Sequence, residues 1–256
     1  MPLKNLGVRA AAGAALVLLA AACGGGEAER PPAPPADAKR VDPARTGSIA
    51  GRIAFEGPPP ENPRVKLAGD PACQREHPDG VTLETVLVNK GGLDNAFVYV
   101  KEGLSGYYFE APTEQVKLDQ KGCRYTPHVF GARVGQPIEI SNSDPTLHNV
   151  HAVANVNRDF NFPQAIQGMK NTRTFTAPEV MVHFKCDVHN WMSAYAGVLP
   201  HPYFAVTANG GAFELKNLPA GTYTIEAWHE KLGTQTANVT LAEKESKTLN
   251  LTFVLK

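Results

Sequence analysis

From Gly47 to the C-terminus, short β-forming runs alternate with breakers, and this constrains the fold more than any other feature of the sequence. The runs "SIAGRIAF", "LETVLV", "NAFVYV", "PIEISN", "NVHAVA", "TRTFTA", "VMVHFKC", "GAFELKNL", "TYTIEAW" and "TLNLTFVL" are rich in β-branched and aromatic residues. Between them lie Gly, Pro, Asn and Asp clusters such as "EGPPPENP", "NKGGLDN", "NSDPT", "TANGG" and "LPAGT". Many short strands with frequent turns predict an all-β sandwich or barrel. No run shows helical periodicity, and a single helical turn is expected at most, in "NFPQAIQGMKN". At 256 residues the chain is long enough for two domains.

The first 22 residues read as targeting. "MPLKNLGVR" carries Lys4 and Arg9, and the 13 apolar residues "AAAGAALVLLAAA" that follow are too few to span a bilayer and fit a secretory segment. "LAAAC" resembles a bacterial lipobox, which implies cleavage before Cys23 and lipidation of its thiol; Ala20 stands where that motif commonly has Leu. The alternative is ordinary secretion after an A-x-A site, with Cys23 a bystander. Residues 23–46, "CGGGEAERPPAPPADAKRVDPART", have almost no apolar content and read as a semi-extended tether. The expected location is outside the cytoplasm, lipid-anchored, and on the periplasmic side in a two-membrane cell. Lys plus Arg and Asp plus Glu are equal at 25 each, and no basic stripe suggests nucleic acid.

Export sets the redox rules. Beyond Cys23 the cysteines are Cys73, Cys123 and Cys186. In an oxidising compartment an odd number asks that one be held by something other than a disulfide.

"KCDVHNWM" places Cys186, His189 and Met192 within seven residues. Along the preceding "EVMVHFKC", period-two alternation assigns Val180, Val182, Phe184 and Cys186 to one face. Met181, His183 and Lys185 fall on the other. A thiolate, an imidazole and a thioether are ligands that copper favours, and a second imidazole would complete a His₂Cys site with a weak axial Met. Taken alone, the motif is equally compatible with a core Cys and Met beside a loop-capping His.

Thirty-eight residues before Cys186 lies "ISNSDPTLHNVHAV". The pair "LHNVH" and "CDVHNWM" resembles the cupredoxins, the plastocyanin-like blue copper electron carriers, and its short Cys-x₂-His-x₂-Met loop is of the amicyanin type. The resemblance runs from about Gln115 to Pro200 and takes in "RYTPHVFGARVGQPIEISN". It implies a Greek-key β-sandwich and one mononuclear type 1 copper ion. His148, Cys186 and His189 would be strong ligands and Met192 a weak axial one, while Asn149 would tie the two ligand loops together. Asn190 and Trp191 stand where amicyanin has Pro and Phe, which bears on loop rigidity. His189 is expected nearest the surface, where a redox partner would dock. With Cys186 on copper and Cys23 on lipid, Cys73 and Cys123 are left to form a disulfide.

A second resemblance lies at the ends. "VTANGGAFELKNLPAGTYTIEAWHEKLGTQTANVTL", with "GSIAGRIAFEG" and "LDNAFVYVKEG" upstream, is similar to carboxypeptidase regulatory-like domains, which are small transthyretin-like sandwiches. It implies one such sandwich from residues 47–110 and 201–256, split by an inserted cupredoxin domain at 111–200. The alternative is two separate domains with an extra N-terminal hairpin.

The function implied is single-electron transfer between redox partners, such as a cytochrome or dehydrogenase, with no enzymatic turnover. Two other readings remain: a copper-binding or delivery lipoprotein, and a structural module whose site is vestigial or holds zinc. Of the other histidines, His151 points to the face opposite His148 and reads as backing the ligands or exposed, while His183 reads as outward-facing and solvated. His77, His128, His201 and His229 lack partners at metal spacing, although His77 with Cys73 could form a second site.

Overall fold

A computed structural model of the chain describes Met1 and residues 35–67 and 69–255. The expectations for the targeting segment, for Cys23 and for the tether up to residue 34 lie outside the described residues. Among the described residues the regular structure is nearly all strand, with a short α-helix, Pro71–Glu76, and a 3-10 turn, Pro43–Arg45.

Residues on both sides of the metal-motif segment share two sheets. Strand Gly47–Glu56 runs antiparallel to Ala212–Leu218 and parallel to Ser246–Val254 along its whole length. The facing sheet is ordered Phe204–Val206, Phe97–Glu102, Gly221–His229, Gly233–Leu241. Alternation within these strands sends Ile49, Ile53, Val98, Val100, Leu215, Ile225 and Phe253 into one shared core. Gly51 is small for a reason, since a Cβ there would meet the Leu249 carbonyl oxygen at 1.7 Å.

Residues 116–199 form two further sheets. One is ordered Lys170–Thr174, Pro137–Asn142, Val116–Gln120, Tyr125–Thr126. The other is ordered Phe160–Gln164, His148–Val153, Glu179–Lys185, Ser193–Leu199, Val129–Arg133. Leu118, Ile138, Ile140, Val150, Val182 and Phe184 fill the space between them, with Cys186 and Met192 at one end of this core.

The two sandwiches meet through Phe97, Tyr99, Val129, Met181 and Leu199. Two glycines make that contact possible. A Cβ on Gly197 would lie 2.2 Å from the Phe97 ring, and one on Gly131 would lie 2.1 Å from the Phe204 ring.

Between residues 57 and 86 the chain leaves the first sandwich and folds onto the second. Short strands Arg64–Val65 and Val81–Thr82 pair there, and helix Pro71–Glu76 starts at the Asp70 cap with Pro71 in its first turn. Leu67, Cys73, Val81 and Cys123 form a small core under this segment, and Trp191 packs against it. Cys73 and Cys123 are joined by a disulfide with Cα atoms 5.7 Å apart.

Three local expectations need correction. "NFPQAIQGMKN" contributes strand Phe160–Gln164 and a turn, while the α-helix lies in "PACQRE", too short to show a period. Val180 is exposed and Met181 buried, because pairing with Ser193–Leu199 slips between Val180 and Val182 and interrupts the alternation. His183 is half-buried rather than solvated: its ring stacks on Tyr195 at 4.8 Å and its Nε2 lies 2.7 Å from Ser193 Oγ.

Candidate metal centre

Adjacent antiparallel strands carry the two halves of the site. His148 opens strand His148–Val153, Cys186 follows strand Glu179–Lys185, and the register sets His151 opposite Lys185. After Cys186 the chain turns back on itself. Met192 N donates to His189 O at 2.9 Å, and Cys186 N donates to Met192 O at 3.3 Å. The backbone amides of Asn149 and His189 each donate to Cys186 Sγ at 3.3 Å. Asn149 also links the two segments, since its Oδ1 accepts from Asp187 N at 3.1 Å.

His148 Nδ1 and His189 Nδ1 lie 3.0 Å apart, and Cys186 Sγ lies 3.8 Å from the latter. The ligand atoms of these three residues all fall within 4.8 Å of one another, and all three residues are buried. Met192 is 1% exposed and belongs to the same core cluster as Cys186.

Each imidazole is fixed from behind by a carboxylate. His148 Nε2 lies 2.8 Å from Asp144 Oδ2, and His189 Nε2 lies 3.0 Å from Asp70 Oδ2. Both Nε2 atoms therefore carry the proton of the neutral ring and donate it, and both Nδ1 lone pairs face one point. Two acceptors 3.0 Å apart beside a thiol need a positive charge between them. Burial opposes charge on His148, but hydrogen bonds to Asp144 and Cys186 outweigh it and raise the pKa to about 9. Burial likewise pushes the Cys186 thiol up, yet His148, His189 and two backbone amides pull it down to about 6. Asp70 is held at about 2: the cost of burial is overcome by the Cys73 amide, Thr146 and His189. Asp144 is lowered in the same way, by His148 and the amides of Cys123 and Gly122 against its burial. With the rings neutral, three anionic side chains surround a pair of lone pairs. That donor set fits a soft, positively charged metal ion.

His189 is not at the surface. It is 2% exposed, because the 57–86 segment lies over it. Asp70 contacts its Nε2, Cys73 Sγ lies 4.0 Å from the same atom, and the Trp191 ring stands 4.9 Å away. Trp191 is pinned in turn by a 3.0 Å bond from its Nε1 to Cys123 O. Val188 and Leu147, which precede the two histidines, remain exposed.

The other histidines have separate partners. His151 pairs with Asp187 at 2.9 Å, His77 with Gly122 O at 2.9 Å, and His128 with Glu230 at 2.5 Å. The groupings Asp70–Cys73–His189 and Cys123–Asp144–His148 share their histidines with the first, and their cysteines are spent on the disulfide.

Sequence reasoning missed Asp70 and Asp144. Asp144, four residues before His148, carried only a turn signal in "NSDPT". Asp70 carried a helix-cap signal in "GDPACQRE", which says nothing about what its second oxygen reaches.

No protein-family model and no curated protein matches the chain. Among solved structures it is similar to a Cu-containing nitrite reductase from Thermus scotoductus SA-01, at 21% identity and TM-score 0.31, over 37% of this chain and 24% of that one. The chain thus spans about a quarter of the nitrite reductase. It is also similar to a purple cupredoxin from Nitrosopumilus maritimus, at 18% identity and TM-score 0.29, over 32% of this chain and 98% of that one. An oxidised amicyanin mutant aligns at 21% identity and TM-score 0.31, over 41% of this chain and 99% of that one.

Proposed function

We propose that the chain is a membrane-tethered, extracytoplasmic copper protein that carries single electrons between redox partners. One mononuclear type 1 ion would be held by His148, Cys186 and His189, with Met192 as a weaker fourth ligand. The observation that carries this reading is the convergence of two Nδ1 atoms, 3.0 Å apart, on a buried thiol, with both Nε2 atoms already engaged. Thiolate, imidazole and thioether together suit copper better than zinc, for which a thioether is a poor ligand. Copper would supply a one-electron couple there.

The protein's own groups do the rest. Strand and disulfide hold the donors in place, so both oxidation states would meet nearly the same geometry. Met192 and Trp191 exclude water. If Met192 adds its sulfur to the donors of His148, Cys186 and His189, no position is left for substrate, and the reading is of a carrier rather than an enzyme. Burial of His189 also favours a carrier over a delivery protein, because a metal to be handed on must be reachable. The tether reading rests on the lipobox-like "LAAAC", and the partner would be a cytochrome or dehydrogenase outside the cytoplasm.

Copper titration and redox cycling test the proposal. One equivalent of Cu(II) should bind, and one electron per protein should reduce and restore it reversibly. Binding without reversible reduction would favour the delivery reading.

A further inference from the structure

We infer that Asp70 and Asp144 are positioning residues for the metal centre, and that the segment carrying Asp70, outside the metal-binding sandwich, completes the site. The inference rests on the copper reading above and deepens it.

The two carboxylates are held in matching ways. Asp144 Oδ1 accepts from Gly122 N at 2.8 Å, and its Oδ2 accepts from Cys123 N and His148 Nε2, both at 2.8 Å. Asp70 Oδ1 accepts from Ala72 N at 2.7 Å and Cys73 N at 2.9 Å, while its Oδ2 meets Thr146 Oγ1 at 2.8 Å and His189 Nε2 at 3.0 Å. One amide on each carboxylate belongs to a cysteine of the Cys73–Cys123 disulfide, so that bond staples the two cradles together. Helix capping occupies only one oxygen of Asp70. The other is aimed at His189.

A carboxylate that accepts the second N–H of a ligating imidazole fixes the ring's tautomer and orientation and makes its free nitrogen more basic. A more basic donor, together with added negative charge, favours the doubly charged ion over the singly charged one. Asp70 and Asp144 therefore draw the couple toward the oxidised state and lower the reduction potential.

The substitutions Asp70→Asn and Asp144→Asn remove this charge at nearly constant shape. Asn still caps a helix, but it cannot present an oxygen to both the helix amides and His189. Loss of either charge should weaken Cu(II) binding relative to Cu(I) by about tenfold or more, which raises the potential by about 59 mV per tenfold change. Thr146→Val, which takes a hydroxyl from Asp70 and leaves its charge, should move the potential less than Asp70→Asn. Potentials of both Asn variants within error of wild type would overturn the inference, and so would an equal shift from Thr146→Val. A further measurement needs no copper. In the metal-free protein, the Nε2–H protons of His148 and His189 should exchange slowly by NMR, and the His189 proton should exchange fast in Asp70→Ala. Equally fast exchange in wild type overturns the clamp. Failure of wild type to take up copper would instead overturn the functional reading alone.

Discussion

His189 Nε2 lies 3.0 Å from Asp70 Oδ2, a carboxylate that arrives from 119 residues earlier in the chain. The contact brings a segment of one sandwich onto the candidate metal centre of the other, and it buries a histidine that the sequence resemblance places at the surface. A partner docking near the ligand loop would meet Val188, 50% exposed, before it met the imidazole.

The Cys73–Cys123 bond keeps that segment in place. It spans a separation of 50 residues, and on chain-entropy grounds removing it costs about 4 kcal/mol. The double substitution Cys73→Ser/Cys123→Ser should lower the urea-unfolding free energy by an amount of that order. A loss below about 1 kcal/mol would contradict the assigned role, since even a short closed loop is worth more.

The junction of the two sandwiches is tested at Gly197. Its missing Cβ leaves room for the Phe97 ring, which is fully buried and has nowhere to move. Gly197→Ala should therefore destabilise by about 1–3 kcal/mol. Adding Phe97→Leu should return part of that loss. Full additivity of the two changes in thermal unfolding would show that they do not touch.

Stability in acid should depend on His201 and His229. Burial holds each pKa down at about 4, and they are 7% and 2% exposed. An unfolded histidine protonates near 6.5, so between about 6.5 and 4 the unfolded chain takes up protons that the folded chain refuses. The stabilising contribution is complete above about 6.5 and is lost as pH falls toward 4, on the order of 3 kcal/mol per histidine. His229→Asn keeps an acceptor for the Lys231 amide, which bonds His229 Nδ1 at 3.2 Å. Its unfolding free energy should fall less steeply between pH 6.5 and 4 than that of wild type. An unchanged slope would show that His229 titrates normally.

How much was legible in the sequence depended on the range of each interaction. The all-β character was visible because strand and turn propensities are local, as in "GSIAGRIAFEG" and "NKGGLDN". The spacing of His148, Cys186, His189 and Met192 was visible because two adjacent strand ends bring those residues together. The slip at Val180 was not, since alternation has no signal for a register shift produced by the partner strand. Nor was the cover over His189. Asp70 reads locally as a cap, and only the folded path of residues 57–86 aims its second oxygen at the imidazole.

His151 and Met192 separate near neighbours from ligands. His151 pairs with Asp187 on the outer side of the strand, 2.9 Å away, and its exchange for Ala should leave the copper spectrum intact. Met192→Ala should retain copper but change its reduction potential, because a weak axial donor tunes more than it holds. Loss of the spectrum in His151→Ala, measured on copper-loaded protein, would move the ligand assignment to His151.

The most direct test of the central claim is the visible absorption of copper-loaded protein with and without the Cys186 thiolate. Wild type should show an intense thiolate-to-copper charge-transfer band, blue to green, that bleaches on reduction and returns on oxidation. Cys186→Ala, folded by circular dichroism, should show none. A colourless copper-loaded wild type, or a band that survives in Cys186→Ala, would contradict the account.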